Sequence, residues 1–330
     1  LAPSGPLKAK PRRCDFKYGR NDPIPPAFSL RLSDAAPRRE GRYRLTFVIG
    51  LGVVIGSILG GYMPHGSLAV LNQPLEVLII LGAAIGAYII ANPGSVLKHT
   101  LKHLARTLKG APHKKDEYLE LLVLMYTVFR IAKSKGMLTL EAHIEDPAES
   151  ALFSSFPQFM SNATAVEFLC DYLRLMTMGT DNPHEMEALI DEDIETHLTE
   201  AHHVAHAITG MSDGLPAFGI VAAVLGIIQT MGSITEPPEV LGEKIGAALV
   251  GTFLGILLAY GLVGPIGSSL QYYADADIKY LECIKAGLLA HMSGYPPAVS
   301  VEFARKTLFN HERPTFLELE EAVQEAPQIS

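Results

Sequence analysis

Three groups of side chains in this sequence have the types and spacing to handle an ion or a proton. The first is a lone hydroxyl. Thr252 sits within "LVGTFLGILLAYGLVGPIG" (residues 249–267), a run with no charged residue. It lies eight residues past Lys244, about 12 Å into a helix at ~1.5 Å per residue. A threonine in an apolar helix commonly donates its hydroxyl back to a carbonyl of its own turn; the alternative is that it lines a wet path. Ala223, seven residues past Pro216, falls at a comparable depth in a second apolar run. The second group is His202, His203 and His206 in "EAHHVAH". Such a cluster is first a solvated, pH-sensitive helix surface and only secondarily a metal site. The third comprises Lys133, Lys135 and Glu141 around Gly136, with the acidic run "DEDIETH" (191–197). By default these are ordinary surface charges.

What the apolar runs lack is as informative. None holds Asp, Glu, Lys, Arg or His in its interior; Glu76, Asp213 and Glu243 stand at their edges. A proton path through a membrane needs a titratable group inside it. If this chain conducts protons, that group is expected from another chain. There is no P-loop, nucleophile elbow or HExxH motif, and Cys14, Cys170 and Cys283 have no metal-ligand spacing. The sequence therefore predicts no enzyme, no metal centre and no cofactor.

The elements that would position these residues are helical. Hydrophobic residues make up 48% and charged residues 19% of the chain, the latter below the roughly 25% of a soluble domain. Four apolar stretches, Leu45–Met63, Leu75–Ala91, Pro216–Ile234 and Ile245–Val263, approach the ~20 residues that span hydrocarbon. Lysines and arginines flank the first pair at Arg42, Arg44, Lys98, Lys102 and Arg106, and are absent from the link 64–74. The positive-inside rule then places the N-terminus, the region 92–215 and the C-terminus in the cytoplasm.

The expected organisation is all-α, an integral membrane protein in five parts. Residues 1–44 form a basic disordered tail, with 11 Lys/Arg against 4 Asp/Glu; it suits an anionic leaflet rather than nucleic acid. Residues 45–91 carry transmembrane helices 1 and 2. Residues 92–215 form a helical cytoplasmic domain inserted between helices 2 and 3. Residues 216–263 carry helices 3 and 4, and 264–330 form a cytoplasmic helical region. Within 92–215, "DEYLELLVLMYTVFRIAKSKG" puts acids early and bases late, which suits the helix dipole, with Gly136 as its stop.

Small residues recur at helical spacing in the spans: Gly52, Gly56 and Gly60 in the first, Ala247, Gly251, Gly255 and Ala259 in the fourth. Such faces let backbones approach closely in lipid, within one subunit or around a partner helix. Pro216 is expected in the first turn of its helix and Pro265 at the end of the fourth span, both as punctuation.

Together these features resemble the MotA family of flagellar stator proteins from about Leu45 to the C-terminus. The resemblance rests on "GGYMPHGSLAVLNQPLEVLIILGAAIGAYIIANPG", "CDYLRLM", "EALIDEDIETH", "LPAFGIVAAVLGIIQTMGS", "GAALVGTFLGILLAYGLVGPIG" and "VEFARKTLFNHERPTFLELEE". It implies an inner-membrane ring of five such chains around two copies of MotB. MotB would supply a membrane helix with the proton-binding Asp, which accounts for the missing carboxylate. Ion flow would drive torque on the rotor protein FliG. Pro216 and Pro265 match the family prolines tied to conformational change, and Thr252 the threonine facing the MotB carboxylate. Ala223 stands where sodium-driven relatives carry a second Thr. Hard cations want several oxygens, so this favours protons. Lys133 takes the place of a rotor-facing arginine; Glu141 and Asp193 match acidic family positions. A TolQ- or ExbB-like envelope transducer is the alternative in the same superfamily, but has three spans and lacks the large insertion. A passive membrane scaffold is the alternative from another class.

Overall fold

In a computed structural model, residues 40–64, 66–107 and 113–327 are described. The basic tail expected over residues 1–44 lies outside them except for its end, where the first helix already begins at Glu40. Among the described residues the regular structure is entirely helical. The helices are α1 (Glu40–Tyr62), a single turn α2 (Leu68–Leu71), α3 (Pro74–Ala91), α4 (Gly94–Thr107), α5 (Lys115–Lys135), the short α6 (Glu141–Glu145) and α7 (Pro157–Met160), α8 (Ala163–Thr177), α9 (Pro183–Met231), α10 (Pro238–Leu258), α11 (Gly264–Met292), α12 (Pro297–Thr307) and α13 (Phe316–Gln324). A π-helical turn, Ala259–Val263, joins α10 to α11.

Three segments among the described residues are long and apolar enough to cross a membrane: Leu68–Ala91, Pro183–Met231 and Pro238–Met292. Thr46–Tyr62 within α1 is a shorter apolar helix.

Pro216 does not begin a helix as the sequence suggests. α9 runs for 49 residues with Pro216 in its interior. An interior proline deprives the carbonyl four residues back of its donor and usually breaks a helix. Here tertiary packing overrides it. Leu215, Gly219, Ala222 and Ala223 around the proline are buried against neighbouring helices, and the helix continues through the "SDGLP" stretch. Pro265 lies in the first turn of α11, where its missing N–H is tolerated, and the wider π turn absorbs the mismatch just before it. The boundaries drawn at 215/216 and 263/264 thus fall inside continuous helical runs.

The part of the chain outside the spans forms a helical lobe with its own core. α5 is its centre. Tyr118, Leu121, Leu122, Leu124, Met125 and Phe129 are sealed from solvent, because apolar residues occupy most of its circumference. Asp116 and Glu117 open the helix and Lys133 and Lys135 close it, as the dipole favours. Gly136 stops it as expected, at φ +91°, with its N–H returning to the Ala132 carbonyl. Around α5 pack α7, α11, α12 and α13, and α8 and the first half of α9 close the same core. α13 begins with a capping box of Thr315 and Glu318, and Lys115 reaches Glu318 at 2.6 Å. His113 pins the start of this lobe to α11. Its Nδ1 lies 3.0 Å from Glu117 Oε2, its Nε2 lies 2.9 Å from Asp277 Oδ1, and its ring stacks on Tyr280.

Candidate functional site

The site expected around Thr252 is built on the crossing of α9 and α10. Glycines on both helices bring the backbones into contact. A Cβ added at Gly255 would lie 2.8 Å from the Leu215 carbonyl oxygen and 2.9 Å from Gly219 Cα. One added at Gly219 would lie 2.9 Å from the Gly251 carbonyl oxygen and 3.4 Å from Thr252 Cα. Towards the hairpin, Gly226 meets Ala248, so the small face of α10 runs through Ala248 rather than Ala247. No larger residue fits this seam, which is why small residues dominate it.

The seam brings Thr252, Ala223, Gly251 and Gly255 to one place. Ala223 is buried, and its backbone N lies 3.3 Å from where a Cβ on Gly251 would stand, so the two helices share the depth read from the sequence. The Thr252 side chain is half-buried. Thr209 and Thr230 on α9 donate their hydroxyls back to the carbonyls of Ala205 and Gly226. Thr252, unlike these two, makes no such bond among the described residues. At the hairpin end, Lys244 pairs with Glu236 at 3.1 Å and donates to Ser233.

Two residues here escaped sequence reasoning. Glu76 stands at the edge of its helix in sequence, but its side chain does not stay at the edge. It passes behind the seam, so that a Cβ on Gly251 would lie 3.1 Å from Glu76 Oε2 and 3.2 Å from Ala222 Cβ. That oxygen is buried without a hydrogen-bond partner. The available signal was an acid in the first turn of the shortest apolar run. The second is Ser212, buried at 2% exposure. Its hydroxyl donates to the Ala259 carbonyl at 2.9 Å, tying the turn before Pro216 to the start of the π turn before Pro265. A serine four residues before a proline was the signal. The two prolines are thus linked through one interhelical hydrogen bond, with Pro216 half-buried and Pro265 exposed.

The glycines of α1 are placed differently. Around a Cβ on Gly52, Gly56 or Gly60 nothing lies within 4 Å. α1 reaches the rest of the bundle elsewhere, where Val54 Cγ1 lies 3.2 Å from a Cβ on Gly261.

On the lobe, Lys133 and Glu141 are exposed and stand at the same end of α5, separated by the Gly136 turn. Burial, and then the Lys133 charge, lower the pKa of His291, whose ring stacks on Phe129 at 4.5 Å. Asp193 is elsewhere and engaged: it accepts from the Tyr172 hydroxyl at 2.8 Å. Of the histidine cluster, His202 lies 2.9 Å from Asp275 Oδ1, while His203 and His206 line a cavity of about 550 Å³. Among the described residues no group of three His, Cys, Asp or Glu is arranged to hold a metal ion.

A glycine-tight crossing of two helices long and apolar enough to span a membrane, with a separate helical lobe, defines a class: a helical membrane subunit built on close helix association. Residues 48–136 match the family described as Motility protein A N-terminal, and residues 160–282 match the MotA/TolQ/ExbB proton channel family. Motility protein A of Escherichia coli (strain K12) is 45% identical over 280 residues, which cover 84% of this chain and 95% of that protein. Chemotaxis protein LafT of Vibrio parahaemolyticus is 35% identical over 82% of this chain and 96% of its own length. The chain therefore belongs to the motility protein A branch of the MotA/TolQ/ExbB proton channel family. The fold matches those of C. jejuni MotAB, at TM-score 0.67 and 20% identity over 81% of this chain and 96% of that one. It also matches the flagellar MotAB stator complex from Bacillus subtilis, at TM-score 0.63 and 24% identity over 85% and 98%.

Proposed function

We propose that this chain is the stator subunit of a bacterial flagellar motor. With MotB it forms a proton channel and converts ion flow into torque on the rotor protein FliG. Five copies surround two MotB chains in the inner membrane, in contact with lipid. The chain crosses four times, α1 included, with the N-terminus, the lobe and the C-terminus in the cytoplasm. The α9–α10 hairpin lines the path, and the exposed Lys133 and Glu141 meet the rotor across complementary charge.

The observation that carries this reading is the Thr252 hydroxyl at the α9–α10 seam, without an acceptor in its own helix, in a chain 45% identical to Motility protein A over most of its length. Ala223 beside it supplies no second hydroxyl, so the path offers a sodium ion a poor oxygen shell and suits a proton. The match of residues 48–136 to the motility protein A N-terminus favours the flagellar reading over an envelope transducer.

The test places this chain and its own MotB-type partner in a strain without other stators. Swimming speed is followed while proton and sodium motive forces are varied separately. Swimming is expected to be lost with a protonophore at constant sodium, and Thr252→Val is expected to slow it without removing the chain from the membrane. Swimming that tracks external sodium instead would overturn the ion assignment. No restoration of swimming at all would overturn the stator assignment.

A further inference from the structure

The membrane part of this chain is not free of carboxylates. Between Asp213 and Glu236 on α9, and between Lys244 and Asp275 on α10 and α11, the sequence holds no Asp, Glu, Lys, Arg or His. The link before α3 carries His65, which lies outside the described residues. Into this uncharged wall α3 sends Glu76. Glu76 is half-buried, but its Oε2 is sealed from solvent, has no hydrogen-bond partner, and faces Gly251, on the side of α10 that also meets Ala222 and the backbone of Ala223. Thr252 is the next residue on α10. The absent side chain of Gly251 makes the room: a methyl there would stand 3.1 Å from the carboxylate oxygen.

A carboxylate oxygen sealed from solvent and met by no hydrogen-bond donor is costly unless it carries a proton or is met by a cation. Simple packing would have been served by Gln or Leu at this position. We propose that Glu76 is a second proton-carrying carboxylate of the path, taking a proton from the outer side and passing it, at the level of Thr252, to the carboxylate on the partner helix. This rests on the stator reading above. Each step balances. The Glu76 carboxylate gains a proton from a hydronium ion and releases water. The neutral acid then gives that proton to the partner's carboxylate and returns to the anion, while the partner's group becomes the acid.

The test uses the full chain with its own MotB-type partner in the stator-free strain, at fixed internal pH and varied external pH. Glu76→Gln keeps the shape and removes the titration. Glu76→Asp keeps the titration and shortens the reach. Membrane level and co-purification with the partner are measured for each. A positioned acid or base commonly contributes ~10²–10⁴-fold to a proton-transfer rate, so Glu76→Gln is expected to swim at under about a tenth of wild-type speed. Glu76→Asp is expected to keep part of the speed with its dependence on external pH displaced. Wild-type speed of Glu76→Gln across the pH range overturns the proposal and leaves the stator reading standing. So does equal slowing by both variants with an unmoved pH dependence, which marks packing alone. If Glu76→Gln fails to reach the membrane, Glu76→Asp decides by the same displacement. Failure of the unmodified chain to restore swimming removes the stator reading and this role with it.

Discussion

At Gly255 an added methyl would collide with the Leu215 carbonyl oxygen at 2.8 Å and Gly219 Cα at 2.9 Å; at Gly56, on α1, it would meet nothing within 4 Å. Both glycines belong to a four-residue repeat in an apolar helix, and the sequence presents them as equivalents. In the α9–α10 seam glycine is required, because two backbones occupy the space a side chain would need. On α1 the same spacing leaves an open stripe. Small residues therefore record where close approach is permitted, and only the partner surface decides whether it happens.

Gly255→Leu breaks the comparison most forcibly. The leucine has no room, so α9 and α10 must separate, at a cost of about 3 kcal/mol or more. The chain is expected to melt well below wild type in detergent and to be depleted from the membrane. Ser212→Ala acts on the same crossing more gently. It removes one of the two donors to the buried Ala259 carbonyl, which keeps the Gly264 N–H, at a cost of about 0.5–1.5 kcal/mol. A modest fall in melting temperature should accompany slower swimming, because the bond links the turns beside both prolines.

His113 extends the comparison to the lobe, whose core is held by large side chains rather than by glycines. Burial alone would lower its pKa, but hydrogen bonds to Asp277 and Glu117, with the charges of both, raise it above its ordinary 6.5. The other titratable groups against the ring are the hydroxyls of Tyr118 and Tyr280. A raised folded-state value means that the folded chain binds the proton more tightly than the unfolded one. The resulting stability is fully present below pH 6.5 and is lost as pH rises through the folded value. His113→Gln should therefore destabilise the lobe more at pH 6 than at pH 9 in denaturant titrations. A constant difference across that range would assign the contact to packing alone.

Gly56→Ala sharpens the comparison by its small effect. The added methyl meets open space, so the melting of the solubilised chain should stay within about 0.5 kcal/mol of wild type. A large loss would show that α1 is packed as tightly as the seam.

Much of this was legible beforehand. The acids and bases at the two ends of α5 and the stop at Gly136 follow from local chemistry, and the structure has them; of the four apolar runs three lie in segments of membrane length and the first is a shorter apolar helix. The depth shared by Thr252 and Ala223 followed from counting residues along helices. Pro216 did not yield to the same reasoning: its local preference for breaking a helix is outweighed by burial of Leu215, Gly219 and Ala222 on a neighbour far away in sequence. Glu76 was placed by its position at a helix end, whereas its long side chain carries Oε2 to the glycine gap at Gly251 in another helix. Periodicity within one segment carries no information about the register between two.

The continuity of α9 has a mechanical consequence. The stretch from Pro183 to Pro216 is a single strut, about 50 Å long at ~1.5 Å per residue. Its far end is built into the lobe through Met186, Ile190 and Ile194. A rotation of about 10° at the proline would carry that end through an arc of roughly 8–9 Å at this length. At that length a rearrangement of the order of an ångström at the seam would become, at the lobe, a stroke comparable to the width of a helix.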